Sequence, residues 1–194
     1  MKKILVVVDV QKDFYHPDGA LYVKGGEVLP ERIAKVIPEF DDVIFTVDWH
    51  PYNHCSFIGN KNRIGKEGVW PVHCVAFSEG ASLPKEFIPF IIHDNTVEPN
   101  VITKGKHYLI EEYGADADSI SYLPLINYEE CEFVFCGIAG DYCVKETVFN
   151  FLERNCRIDI KVSVYLDGVA SIDDGTTIRE FMKENNIEEW KPQE

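Results

Sequence analysis

The feature that most constrains the fold of this chain is a set of short, continuous apolar runs rich in β-branched residues. Runs of this kind are typical of strands that are buried on both faces of a sheet. Helical patterns separate them, so the sequence predicts a parallel sheet covered by helices on both sides, with right-handed crossovers. The predicted strands are residues 4–8, 42–48, 101–103, 132–137 and 160–166.

The clearest predicted helix covers residues 142–155, because Val148, Phe151 and Leu152 fall on one helical face. Residues 49–100 are rich in Pro, Gly, Asn and His and have no long periodic segment. We expect them to form an extended insertion over the active rim of a single domain that spans residues 1–194. The other predicted helices are residues 28–37, 83–88, 119–126 and 176–185, the last followed by a frayed tail.

Composition limits the partners and the compartment of the chain. Its 19 basic and 33 acidic residues give a formal net charge of -14, which argues against nucleic acids and anionic membrane surfaces as partners. We find no signal peptide and no apolar stretch long enough to span a bilayer. The six cysteines lack the dense spacing of a disulfide scaffold. We therefore expect a cytoplasmic, reducing environment.

Reactive side chains stand at or just beyond the ends of the predicted strands: Asp9, Asp48, His50, Lys104 and Cys143. In open α/β sheets, ligands bind in the crevice beyond the carboxyl ends of the strands. The sequence therefore predicts that these side chains meet at one rim. Their chemistry indicates a hydrolytic cysteine site beside a metal.

Cys143 follows a strand and a turn and stands at a predicted helix start, where backbone N–H groups and the helix dipole favour a thiolate. The same groups can hold a developing oxyanion. Asp9 could take the thiol proton, and the Lys104 cation would stabilise both the thiolate and an ionised Asp9. The ordinary alternatives are a small core residue, a turn cap and a surface lysine. Such structural roles are expected for Cys131, Cys136, Cys156, Asp13 and Asp167.

A set of candidate metal ligands surrounds the second strand end. Asp48 and His50 are two residues apart, so on an extended chain both side chains point to the same side. His54 and His73 follow in the insertion and could complete the set. A carboxylate with imidazoles suits Zn, Fe or Mn, and an incomplete protein shell leaves room for water or substrate.

Five motifs, in this order, resemble the nicotinamidases of the isochorismatase-like cysteine hydrolase superfamily, and the resemblance covers nearly the whole chain. They are residues 9–14 (DVQKDF), 48–57 (DWHPYNHCSF), 70–74 (WPVHC), 103–105 (TKG) and 137–144 (GIAGDYCV). The metal segment separates nicotinamidases from most other members. Departures from the family pattern, at Lys12, Gly114 and Gly140, concern the shape of the pocket more than the chemistry.

The resemblance implies a three-layer α/β/α fold with a central six-stranded parallel sheet. It implies Asp9, Lys104 and Cys143 as a catalytic triad, and a cis peptide bond before Ala139 that turns the Ala139 N–H toward the oxyanion, beside the N–H of Cys143. The implied metal ligands are Asp48, His50 and His73, with His54 a ligand in some relatives. The implied substrate-binding residues are Phe14, Leu21, Val23, Trp70 and Tyr113.

The implied activity is hydrolysis of nicotinamide to nicotinate and ammonia through a cysteine thioester, in the salvage of pyridine nucleotides. One divalent ion is implied, with zinc expected and iron or manganese as alternatives. The alternatives left open are a related cysteine amidase acting on another amide or carbamoyl compound, a metallohydrolase whose metal-bound water attacks, and a ligand-binding scaffold on an inactive fold. A homo-oligomer is also left open, because relatives form both monomers and oligomers.

Overall fold

The computed structural model describes residues 1–91, 100–117, 120, 131–156 and 160–193. Its strands are β1 (Lys2–Val8), β2 (Asp42–Asp48), β3 (Val101–Lys104), β4 (Cys131–Ile138), β5 (Lys161–Ala170) and β6 (Glu188–Glu189). Its α-helices include α1 (Lys12–Tyr15), α2 (Leu29–Val36), α3 (Lys145–Arg154) and α4 (Thr176–Glu184). Short 3₁₀ turns cover Gly26–Val28, Ile37–Glu39 and Lys85–Phe90.

The six strands form one parallel sheet in the order β3-β2-β1-β4-β5-β6. The chain builds outward from β1 to one edge of the sheet and then returns to the other side of β1 at β4. The strand order therefore reverses between β1 and β4, and such a reversal opens a crevice at the carboxyl ends of the two strands. The predicted α/β/α fold with a six-stranded parallel sheet is confirmed.

Helices cover both faces of the sheet because alternate strand residues point to opposite sides and both sides are buried. Leu5 belongs to one apolar cluster, together with Ile33 of α2. Its neighbour Val6 belongs to the other cluster, together with Phe151 of α3 and Ile178 of α4. This double burial explains why β1 is a continuous apolar run.

The prediction of a frayed tail is wrong. After α4, the chain adds β6 beside β5, and the Trp190 N–H donates to the Val164 carbonyl at 2.9 Å. The Trp190 ring packs against Phe40 at 4.8 Å and Tyr165 at 5.2 Å between ring centroids. A strand of two residues has no recognisable period in the sequence, and burial of one aromatic ring holds it in place.

Other boundaries differ locally from the predictions. The helix predicted for residues 142–155 begins as α3 at Lys145, because residues 140–144 form a wider π-helical turn. The helix predicted at residues 83–88 is the 3₁₀ turn Lys85–Phe90. The helix predicted at residues 119–126 falls on a segment of which the structure describes Ile120 alone.

Of the insertion expected at residues 49–100, the structure describes residues 49–91 and residue 100. Turns and isolated β-bridges predominate in residues 49–91.

Cys156 is exposed, which corrects its expected place in the core, whereas Cys131 and Cys136 are buried as expected. Cys156 follows the end of α3 at Arg154. Within the described residues, none of the helices has the length and apolar character that crossing a bilayer requires.

Candidate active site

The side chains of Asp9, Lys104 and Cys143 converge at the carboxyl ends of the central strands. Asp9 follows β1, Lys104 ends β3, and Cys143 lies in the turn after β4. The Lys104 Nζ atom is 2.8 Å from Asp9 Oδ2 and 3.8 Å from Cys143 Sγ. All three side chains are buried. The fold thus brings together the three residues that the sequence singled out, from positions far apart in the chain.

Lys104 also contacts Asp48, its partner in the register of β2 and β3, with Nζ 2.5 Å from Asp48 Oδ1. Burial alone would lower the pKa of Lys104, but the carboxylates of Asp48 and Asp9 raise it well above its ordinary value. Burial alone would raise the pKa of Asp48, but Lys104 and His50 hold it well below its usual range. The site therefore contains a permanent ammonium between two acidic side chains.

The pKa values of Cys143 and Asp9 are both raised. Burial raises the pKa of the Cys143 thiol well above its ordinary value, and the Lys104 ammonium opposes that rise without cancelling it. Burial also raises the pKa of Asp9, again against the effect of Lys104. Desolvation outweighs the ammonium, so burial favours the neutral thiol until a base removes its proton, the role predicted for Asp9. A neutral thiol beside a carboxyl of raised pKa is suited to proton transfer between them.

The turn that carries Cys143 has an unusual backbone. The Ile138–Ala139 peptide bond is cis, as the resemblance implies. The Val144 N–H donates to the Ala139 carbonyl at 3.0 Å, five residues back, which makes the turn π-helical. Single π-helical turns occur frequently at functional sites. At the end of β4, Gly137 has φ +123, and a Cβ there would lie 1.9 Å from the Val8 carbonyl oxygen, so only glycine fits against β1.

Asp48, His50 and His73 form a buried group whose ligand atoms lie within 4.8 Å of one another. The Nδ1 atom of His50 is 2.9 Å from the Gly105 carbonyl, and that of His73 is 2.7 Å from the Pro71 carbonyl. Donation from Nδ1 to these carbonyls leaves Nε2 of each ring as the ligand atom, the usual arrangement around bound metals. One carboxylate and two such imidazoles fit a divalent transition-metal ion.

His54 lies beside this group but does not offer it a ligand atom. Its Nδ1 is 2.7 Å from Ser56 Oγ, and its Nε2 is 3.0 Å from the Ile110 carbonyl. The ring stacks on His50 at 4.1 Å between centroids, and burial lowers the pKa of His54 to about 4. In this structure His54 supports the His50 ring, and the candidate ligand set contains three residues.

A pocket with mostly apolar walls opens onto Cys143 and the candidate metal ligands. The Trp70 Nε1 atom donates to the Tyr113 hydroxyl at 3.1 Å, and the Tyr142 ring packs edge-on against Trp70 at 5.2 Å. All five pocket residues predicted from the resemblance line it: Phe14, Leu21, Val23, Trp70 and Tyr113. The structure adds lining residues that were not predicted: Glu111, Glu112, Tyr142 and Ile172.

Sequence reasoning also missed two buried side chains that contact the site residues. Thr46 donates to Asp9, and Gln11 makes hydrogen bonds with the backbone of Asp48. The alternation of β2 was an available signal for Thr46, because residues two apart on a strand share a face and Asp48 was already a candidate. The position of Gln11 after β1 gave no such signal, because its partner lies on another strand.

No protein-family model matches the chain. The chain is 30% identical to the nicotinamidase of Saccharomyces cerevisiae over 95% of this chain and 97% of that relative. A crystal structure of PnC1 from L. infantum in complex with nicotinate is 30% identical, covers 98% of this chain and 92% of its own, and superposes with a TM-score of 0.75. The pyrazinamidase of Pyrococcus horikoshii in complex with zinc is 28% identical over 98% and 99% of the two chains, with a TM-score of 0.70.

Proposed function

The chain belongs to the nicotinamidases of the isochorismatase-like family, and we infer that it is an amidohydrolase converting nicotinamide and water to nicotinate and ammonia. The observation that carries this assignment is the contact of one buried ammonium, Lys104, with both Asp9 and Cys143. The pocket that opens onto Cys143 is lined by aromatic and aliphatic side chains, which suit a flat ring. The alternative of a related amidase with another substrate is not favoured.

We propose that Asp9 is the general base and Cys143 the nucleophile of the first half-reaction. Asp9 takes the thiol proton as the sulfur attacks the carboxamide carbon of the substrate. The backbone N–H groups of Ala139 and Cys143 donate to the oxyanion that forms. The Lys104 ammonium stabilises the negative charge on the thiolate while the proton resides on Asp9.

The same groups complete the first half-reaction and then carry out the second. Asp9 returns its proton to the departing ammonia as the tetrahedral adduct collapses to a thioester on Cys143. Asp9 then takes a proton from a water molecule, whose oxygen attacks the thioester carbon. The C–S bond breaks, nicotinic acid leaves and ionises to nicotinate in solution, and the proton on Asp9 returns to the sulfur. The raised pKa of Asp9 suits a group that must both accept and donate a proton.

We propose that Asp48, His50 and His73 hold one divalent ion, with zinc as the first choice because the Pyrococcus horikoshii relative contains it. When bound, the ion would supply a Lewis-acidic contact to the ring nitrogen of the substrate and so set the orientation of the ring. Iron and manganese also suit this ligand set, so elemental analysis of the purified protein decides among the three.

Replacing Cys143 with Ala tests the assignment. We expect ammonia release from nicotinamide to fall by about a thousandfold or more, because the nucleophile is gone, while the metal content stays unchanged. Cys136→Ala is the matched control, since Cys136 is also buried but lies within β4 and does not line the pocket. Turnover in Cys143→Ala close to that of the unchanged protein would contradict a cysteine mechanism and favour attack by metal-bound water.

The substrate is tested separately on the unchanged protein. We expect nicotinamide to be hydrolysed with a higher kcat/KM than a carbamoyl compound without a pyridine ring, because the mostly apolar pocket walls suit a flat ring. The reverse order would favour the related cysteine amidase. A cytoplasmic location stays a prediction. The state of assembly is also open and can be measured by light scattering.

A further inference from the structure

We propose that Thr46 and Gln11 are positioning residues, each holding a functional residue at the end of the neighbouring strand. Thr46 of β2 orients Asp9, which follows β1, and Gln11, just beyond β1, orients Asp48 at the end of β2. The inference rests on the proposed function for the role of Asp9 as base and of Asp48 as metal ligand. It adds residues that act through those two groups.

Thr46 holds Asp9 at two points. The Asp9 N–H donates to the Thr46 carbonyl at 3.0 Å, and the Thr46 hydroxyl donates to Asp9 Oδ1 at 2.7 Å. Both residues are fully buried, and Asp9 has φ 51, in the left-handed region. Oδ1 is thereby occupied, while Oδ2 has no aligned hydrogen-bond donor among the described residues and contacts the Lys104 ammonium. Thr46 therefore fixes the orientation of the Asp9 carboxylate, with Oδ1 on the Thr46 hydroxyl and Oδ2 on the Lys104 ammonium.

Gln11 holds Asp48 by its backbone. The last residue pair between β1 and β2 is Val8 with Thr46, so the Asp48 peptide groups extend beyond the ladder. The Gln11 side chain takes the place of the missing strand: Oε1 accepts the Asp48 N–H at 2.7 Å, and Nε2 donates to the Asp48 carbonyl at 2.8 Å. Nε2 also donates to the Ala81 carbonyl at 3.0 Å. Buried backbone groups need such partners.

Removing the hydrogen bonds of Thr46 and of Gln11 should cause two different defects. Thr46 contacts Asp9, the proposed base, whereas Gln11 contacts Asp48, a proposed metal ligand. Loss of the Thr46 hydroxyl should impair chemistry without changing metal binding. Loss of the Gln11 amide should weaken metal binding, because a backbone that is no longer held allows the Asp48 carboxylate to move away from His50 and His73. A general loss of packing would instead lower the folding stability of both variants without separating these two properties.

Thr46→Val removes the hydroxyl at nearly constant volume. We expect kcat to fall about tenfold or more while KM and zinc content stay unchanged, since a hydrogen bond to a charged group is lost. Thr46→Ser keeps a hydroxyl and should recover most of kcat. Ser163→Ala is the control for loss of a buried hydroxyl, since Ser163 donates to Glu132 away from the pocket. Wild-type kcat in Thr46→Val, with Cys143→Ala inactive, would overturn the role of Thr46.

Gln11→Met removes all three hydrogen bonds, and Gln11→Glu, which removes only the donors, serves if the first variant does not fold. We expect the zinc affinity, measured by competition with a chromogenic chelator, to fall about ten- to a hundredfold. Thr46→Val should bind zinc as the unchanged protein does. Unchanged zinc affinity in a folded Gln11 variant would overturn the role of Gln11. Undiminished turnover in Cys143→Ala would instead contradict the proposed function and leave the zinc measurement standing.

Discussion

At the scale of single residues, Lys104 joins the candidate catalytic groups to the candidate metal ligands. Its ammonium contacts Asp9, Asp48 and Cys143 while only 5% of the residue is exposed. A charge is stable in such surroundings only when it is paired with opposite charges. The side chains around Lys104 are therefore interdependent, and small changes of backbone beside it should affect the metal ligands as well.

Gly105 gives a prediction at this scale. It has φ +66, and a Cβ at this position would lie 2.4 Å from Cε1 of His50. We expect Gly105→Ala to lower zinc affinity about tenfold or more, because the ring that carries a ligand nitrogen must move. The measurement is chelator competition on the folded variant.

Gly65→Ala provides the control for Gly105→Ala. Gly65 has φ +79, but no atom lies within 4 Å of its added Cβ, so this variant has the backbone strain without the clash. It should keep normal zinc affinity. Equal losses of affinity in both variants would show that strain alone is responsible and would contradict the contact with His50.

At the scale of elements, the ends of the strands determine the site. β1, β2, β3 and β4 end beside one another, and the residues that follow or close them carry the reactive groups. The apolar runs predicted these strands well because double burial leaves a local pattern. The π-helical turn and β6 were missed because their cause is contact with distant segments, which leaves no local period.

Trp190 tests the importance of the last strand. Because its ring is buried against Phe40 and Tyr165, Trp190→Ala should reduce the free energy of unfolding by about 3–5 kcal/mol. Tyr52→Ala, at a residue that is 82% exposed, should change it by less than about 0.5 kcal/mol. Chemical denaturation of both variants is the measurement. A loss at Trp190 no larger than that at Tyr52 would mean that the tail does not hold the fold.

At the scale of the whole molecule, the reversal of strand order between β1 and β4 explains where the site lies. Asp9 and Cys143 follow the two strands on either side of that reversal, and β2 and β3 add Asp48 and Lys104 from the neighbouring positions. The insertion between β2 and β3 contributes His73 and the Trp70 wall of the pocket. The site therefore depends on the order of four strands, β1 to β4, and on the insertion between β2 and β3.

Metal removal tests this assembly on the complete protein. We expect chelation to abolish turnover and to lower Tm, since a ligand that binds only the folded state stabilises it by mass action, about 2.7 kcal/mol at a hundred times Kd. Added zinc should restore both properties. Undiminished turnover in a sample shown to be free of metal would contradict the role proposed for Asp48, His50 and His73.

The sequence by itself determined the sheet, its helical cover and the identity of the residues at the strand ends, because burial on both faces and residue type are local properties. Only the tertiary structure showed that burial raises the pKa of the Cys143 thiol, that both ring nitrogens of His54 have partners, and that Thr46 and Gln11 form hydrogen bonds with Asp9 and Asp48 across neighbouring strands. Depth of burial and hydrogen bonds across strands depend on chain segments far apart in sequence, and no local pattern encodes them.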